Sequence, residues 1–153
     1  NPIRKIPTLV INDFSIIDSD NICLYLDSVS KKKTLFPEKN YWLIMSATSI
    51  ANGLMESVLE RRMETIRPDN EKSTNFIKKQ EIRIIRTIKW LEDNWDNFDS
   101  SYLTMDQIAV ACALDYTIFR FSNEWKINNP KLSKWFTSFI ENDFMKSTLP
   151  REK

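Results

Sequence analysis

Histidine is absent from this chain, and glycine occurs once, at Gly53. Without histidine the chain holds no Ser-His-Asp triad, no Cys-His pair and no histidine-ligated metal. One glycine builds neither a Walker-type nor a dinucleotide-type phosphate loop. Cysteine is nearly as scarce: Cys23 and Cys112 stand far apart, each in an apolar helical pattern. Two such residues make no disulfide framework, which points to a reducing compartment and to buried structural thiols. No apolar run approaches the roughly 20 residues that span a bilayer. The opening Asn-Pro-Ile-Arg-Lys lacks an initiator Met and any secretory pattern, and reads as an interior cut in a longer chain.

Charge of one sign is also lacking, with 22 basic residues against 21 acidic. No global field would gather nucleic acid or anionic lipid, so neither is expected as a partner. Lys31-Lys32-Lys33 has no aromatic platform or further basic stripe beside it, and reads as a solvated linker rather than a phosphate patch. What is present suits a soluble globular protein: 42% hydrophobic and 28% charged residues, with five Trp and nine Phe for a core.

Thr8 to Ile11 and Phe14 to Ile17 are short β-branched and apolar runs separated by Asn12-Asp13, the pattern of a tight hairpin. Asp18-Ser19 then offers capping oxygens before Ile22, Cys23, Tyr25 and Leu26, spaced as on a helix. A hairpin and one helix are too little to stand alone, so this segment is expected to complete a larger sheet, either with missing strands upstream of Asn1 or by packing on the rest of the chain. Residues 28–38 are rich in Ser, Lys and Pro and read as a connector.

Everything beyond reads as helical. A helix from Asn40 to about Ile66 carries Leu43, Ala47, Ile50, Leu54 and Val58 on one face, and Pro68 closes it. A second, from about Ser73 to Trp95, carries Ile77, Ile84, Ile88, Leu91 and Trp95. Their short join predicts antiparallel packing. Thr104 and Gln107 fit a capping box, with Leu103 and Ile108 as its hydrophobic staple. The run from Ile108 to Leu114 is apolar on nearly all sides and predicts a buried central helix. Asn129-Pro130 opens a further helix striped by Leu132, Trp135, Phe136, Phe139 and Ile140, and a short helical turn follows before Pro150.

The order Asn1-Pro2-x-x-Lys5-Ile6-Pro7-Thr8-Leu9, then Asp18-Ser19, then Ile22-x-x-Tyr25-Leu26-Asp27, resembles the cytosolic glutathione S-transferase family, bacterial members most closely. The resemblance resumes in Ala51 to Met55, in Arg61-Arg62 and Glu64, in Arg67-Pro68, and in Thr104 to Leu114. It implies an α+β, mostly α fold: the C-terminal half of a thioredoxin-like glutathione-binding domain over 1–29, a linker over 30–38, and an all-helical domain over 39–153. It further implies a cytoplasmic homodimer that takes glutathione and a small electrophile, with no metal.

On this resemblance Pro7 would be a cis-proline that leaves the Ile6 backbone free to pair with the cysteinyl part of glutathione. From the residues alone, a trans proline at the start of a strand is the more frequent outcome. Asp18 and Ser19 would hold the γ-glutamyl end at a helix N-terminus, where free N–H groups favour a carboxylate. The plainer alternative is that one of them only caps the helix. Asn52, Met55, Leu59 and Met63 would line an acceptor pocket or a dimer seam, although an apolar helical stripe is more often core.

Gly53, inside a helix, costs roughly 1 kcal/mol relative to Ala and predicts a close approach there. Arg4 stands where the family often has Gly, which implies a reshaped or charged site edge, and Gln107 stands where the family usually has a buried Asp. The residue that lowers the glutathione thiol pKa lies, in the family, on the first strand–helix unit, which would precede Asn1. No catalytic residue is therefore assigned. The chain reads as belonging to a conjugating transferase, with a non-catalytic glutathione-transferase-like interaction or regulatory module as the alternative.

Overall fold

The computed structural model describes residues 1–97 and 102–150. The chain forms two compact units, Asn1–Tyr41 and Trp42–Lys153.

In the first unit, strands β1 (Thr8–Ile11) and β2 (Phe14–Ile17) pair antiparallel in the register Thr8↔Ile17, Leu9↔Ile16, Val10↔Ser15 and Ile11↔Phe14. The strand bounds are those expected from the β-branched and apolar runs. Asn12 turns the corner with φ 46°, a left-handed conformation that asparagine tolerates better than most residues. Helix α1 (Ser19–Val29) follows, with no fully buried residue, and Leu26 remains 50% exposed.

The connector is less free than its composition implies. The Asp27 carboxylate accepts from the Thr34 hydroxyl and, at 2.7 Å, from the Leu35 amide, folding the segment back onto α1. Phe36, 8% exposed, packs its ring 6.5 Å from that of Tyr41.

The second unit is helical. Helices α2 (Tyr41–Thr65) and α3 (Thr74–Asn94) are joined by Pro68 and a single tight turn over Asp69–Glu71. Ion pairs Arg61–Glu81 at 2.8 Å and Arg83–Glu60 at 3.6 Å set low numbers on one helix against high numbers on the other, so the pair is antiparallel. Glu64 closes the join, accepting from the Ser73 amide at 2.7 Å while Ser73 itself caps α3 by accepting from the Phe76 amide at 3.2 Å.

The buried stripe of α3 includes Ile84, Ile88 and Leu91 as expected, and that of α2 includes Ala47, Leu54 and Val58 as expected but is broader than the apolar spacing implied. Ile44 and Ala51 are buried, and Leu43 is 39% exposed. Small polar residues widen the face: Thr48 and Ser57 are buried too, and Ser57 returns its hydroxyl to the Gly53 carbonyl at 2.7 Å.

Helix α4 (Met105–Arg120) is the buried centre, with Ala109, Val110, Ala111, Ala113 and Leu114 all enclosed. Thr104 takes the N-cap position, but its buried hydroxyl makes no cap hydrogen bond, so the Thr half of the expected capping box is not formed. Cys112 faces outward from this helix and Cys23 is half-buried, which corrects the expectation of buried thiols.

Helices α5 (Trp125–Asn128), α6 (Pro130–Phe139) and α7 (Asp143–Lys146) complete the unit. Asn129 precedes α6 but does not cap it; its amide donates to the Trp125 carbonyl at 2.6 Å. The cap comes from α3. Buried Glu92 accepts from the Lys131 amide at 3.0 Å and the Leu132 amide at 2.8 Å, and the Lys131 side chain pairs with Asp96. Leu132, Phe136 and Phe139 then face inward, and Trp135 stacks between Trp95 at 4.3 Å and Phe139 at 4.8 Å.

Glu92→Ala leaves two backbone N–H groups without their acceptor, that of Leu132 in a buried site, and is expected to cost about 2–4 kcal/mol in urea unfolding; a loss under about 0.5 kcal/mol would show that the cap contributes nothing. At Gly53 an added Cβ would meet nothing within 4 Å, so the expected close approach is not found within the described chain. Gly53→Ala should therefore raise stability by about 1 kcal/mol, and a decrease would show that another molecule fills that space.

Candidate functional site

Asn1 organises the segment that leads to β1. Its amide donates to the Lys5 carbonyl at 2.5 Å and to the Thr8 hydroxyl at 2.8 Å, and its side-chain oxygen accepts from the Ile3 amide at 3.1 Å. The bend so formed places Arg4 at φ 52°, the left-handed region that favours glycine. The Ile6–Pro7 bond is cis. Ile6 projects outward, 95% exposed, and among the described residues none hydrogen-bonds its amide or carbonyl. The role of Asn1 as the clamp of this bend was not read from the sequence, although the residue opens the quoted motif.

The hairpin register then sets this bend beside the start of α1. Thr8 pairs with Ile17, so Pro7 and Asp18 flank the last pair of the ladder and share one end of the hairpin. The helix start divides its duties. Asp18, at φ 76°, is the N-cap, and its Oδ1 accepts from the Asp20 amide at 3.0 Å and the Asn21 amide at 3.4 Å. Ser19 is the first helical residue, is exposed, and has no hydrogen-bond partner for its hydroxyl among the described residues. Of the two candidate caps, Asp18 performs the task and Ser19 does not. Nearby, burial and then the Asp20 charge push the Cys23 thiol pKa up, so this thiol is a poor nucleophile at neutral pH.

The residues singled out on α2 separate in the structure. Met55 lines a cavity of about 210 Å³ together with Cys112, Asp115 and Tyr116 of α4, and with Met145, Thr148 and Pro150. Leu59 and Met63 lie outside that wall at 47% and 55% exposure, so they are not core either. Asn52 is half-buried and also outside the wall. A larger cavity, about 280 Å³, is bounded by Ile84, Ile88, Phe121 and Trp125 and contains none of the site residues expected from the sequence. Asp115 is the charged member of the Met55 cavity: partial burial raises its carboxyl pKa, and the Lys126 charge works in the opposite direction with smaller effect. Asp115 and Tyr116 were missed in the sequence because their i,i+1 placement in an apolar helix carries no motif. Among the described residues there is no cluster of metal-ligating side chains, and no helix is long and apolar enough to cross a membrane.

A cis-proline hairpin leading into a capped helix, followed by a long antiparallel helix pair and a buried central helix, is the glutathione transferase arrangement of a thioredoxin-like part and a helical domain. No family model matches the chain. It is 26% identical over 157 residues to the uncharacterized GST-like protein YibF of Escherichia coli (strain K12), covering 99% of this chain and 76% of that protein. It superposes with a TM-score of 0.94, at 29% identity, on a glutathione transferase family member from Pseudomonas fluorescens Pf-5 with bound glutathione, covering 99% of this chain and 77% of the other. A glutathione S-transferase from Methylobacillus flagellatus KT, also with glutathione bound, matches with a TM-score of 0.92 at 25% identity, covering 98% and 78%. These likenesses support assignment of the chain to the cytosolic glutathione S-transferase family.

The raised Asp115 pKa has a consequence for stability. A carboxyl whose folded pKa lies above its unfolded value contributes favourably below the unfolded pKa, near 3.8, and that contribution is lost as pH rises through the folded pKa. Asp115→Asn should accordingly unfold at a higher temperature than wild type at neutral pH, with the two curves converging in acid. A gap that is constant with pH would contradict this assignment.

Proposed function

We propose that this chain is part of a glutathione transferase: it binds glutathione through Ile6, Pro7, Asp18 and Ser19 and, in the intact parent, serves conjugation of the thiolate to an electrophile. The observation that supports this best is the hairpin register, which sets the Ile6–Pro7 bend and the α1 start at one end of the ladder. An unpaired Ile6 amide and carbonyl suit strand-like pairing with the cysteinyl residue of a peptide. The α1 N-terminus presents N–H groups and the positive end of a helix dipole, which favour the γ-glutamyl carboxylate. The Ser19 hydroxyl is free to donate to that carboxylate. Both cap bonds of Asp18 use Oδ1, which leaves Oδ2 for the ligand ammonium.

The chemistry requires the glutathione thiolate, since the thiol is the weaker nucleophile. No residue of this chain is assigned to lowering that pKa. The chain supplies binding and orientation: a fixed γ-glutamyl end and a paired cysteinyl backbone hold the sulfur in one place. We read Met55 and its cavity as the acceptor pocket. Exposed Leu59 and Met63, one turn apart on α2, we assign to the seam with a second copy of the chain, with Asn52 near it. The division into 1–29, 30–38 and 39–153 and a cytoplasmic location belong to the same reading.

Ser19→Ala separates binding from capping. The free hydroxyl is expected to supply one charge-assisted hydrogen bond, so its loss should weaken glutathione binding about tenfold in calorimetric titration of the intact parent. Stability should change by less than about 0.5 kcal/mol, because Asp18 holds the cap. Unchanged affinity with a large drop in stability would refute the assignment.

A further inference from the structure

The wall of the Met55 cavity is chemically uneven. Met55 and Met145 give it two flexible thioethers and Tyr116 an aromatic ring, while Asp115 sets a carboxylate among them. Thr148 adds no free donor, since its hydroxyl is bound to the Phe144 carbonyl at 2.8 Å and reaches the Met145 carbonyl at 3.2 Å. Among the described residues none forms an ion pair with Asp115. Lys126, the cation that influences it, is engaged elsewhere, with its ammonium 5.2 Å from the centre of the Phe136 ring and 5.9 Å from that of Trp125. A carboxylate that is partly desolvated and unpaired is most stabilised by a cation that arrives with the ligand.

We propose that this cavity selects acceptors that carry an ammonium group on an apolar body, with Asp115 pairing the ammonium and Met55, Met145 and Tyr116 enclosing the rest. The proposal rests on the reading of Met55 as part of the acceptor pocket and gives that pocket a substrate class. Size agrees: a dry cavity of about 150 Å³ accommodates a benzene ring, and this one, at about 210 Å³, admits a ring with a short amino arm. Thioether sulfur and a tyrosine ring both favour an aromatic or cationic neighbour. An acceptor bearing a carboxylate would meet a like charge, and its binding would require one of the two groups to take up a proton. Asp115 is thus a specificity residue, without a part in moving the thiol proton.

Two probes of similar size decide the matter, phenethylamine and 3-phenylpropionate, titrated into the protein at neutral pH. Carbon-13 labelled methionine methyl groups report occupancy at Met55 and Met145. The amine should bind about tenfold more tightly than the acid, and Asp115→Asn should bring the two within about twofold. Equal affinity in the wild-type protein, or a preference untouched by Asp115→Asn, would overturn the proposal; the wild-type ratio decides alone if the variant does not fold. Glutathione titrated into the same samples reports separately on the transferase reading. Amine preference without glutathione binding would leave the charge selection of the cavity standing and remove the transferase. Glutathione binding without amine preference would do the reverse.

Discussion

The helical unit depends on one carboxylate acting across a gap in sequence of some forty residues. Helix α6 begins with Pro130, which has no N–H, so its first amides in need of acceptors are those of Lys131 and Leu132. Both are met by buried Glu92 on α3. The usual local solution is missing because Asn129 is turned back toward Trp125. A charged acceptor at a helix N-terminus also meets the positive end of the dipole, which makes burial of this Glu tolerable. With that end held, the Leu132, Phe136 and Phe139 face is aimed at the core formed by α3 and α4.

The hairpin unit works by register rather than by core. It buries little, yet its ladder fixes which residues stand side by side, because a slip of one residue would exchange the two faces of each strand. Two residues hold left-handed backbone at its ends, Asn12 in the turn and Asp18 at the helix start. The second, at φ 76° and ψ 131°, is a sparsely populated conformation that costs a residue with a Cβ about 1–3 kcal/mol, and it lets the chain leave β2 and enter α1 without an intervening loop. The side chain of the same residue then offsets part of that cost by capping the helix it opened. Ser19 is left exposed with its hydroxyl uncommitted, as the proposed contact with a ligand requires.

Much of this was legible in the residue pattern. The strands, the long helix pair and the buried Ala-rich centre follow from periodicity, and the cis bond followed from resemblance rather than from frequency. What escaped has physical reasons. The α2 stripe was read too narrowly, because Thr48 and Ser57 are buried polar residues that a reading of apolar spacing passes over. Thr104 has the sequence of a reciprocal cap and the backbone of one, but its hydroxyl is enclosed without the bond. Glu92 looks like any charged residue on a solvated helix until α6 is docked against it. Asp115 and Tyr116 become neighbours of Met55 only through the packing of α4 against α2, a tertiary event with no local signature.

The stack of Trp95, Trp135 and Phe139 has an optical meaning apart from its packing. Two indoles with centroids 4.3 Å apart and planes tilted by 50° are close enough for their transition dipoles to couple. One of them belongs to the end of α3 and the other to α6. In a chain with five tryptophans, the near-ultraviolet dichroism of this pair is an internal gauge of whether its last third is seated.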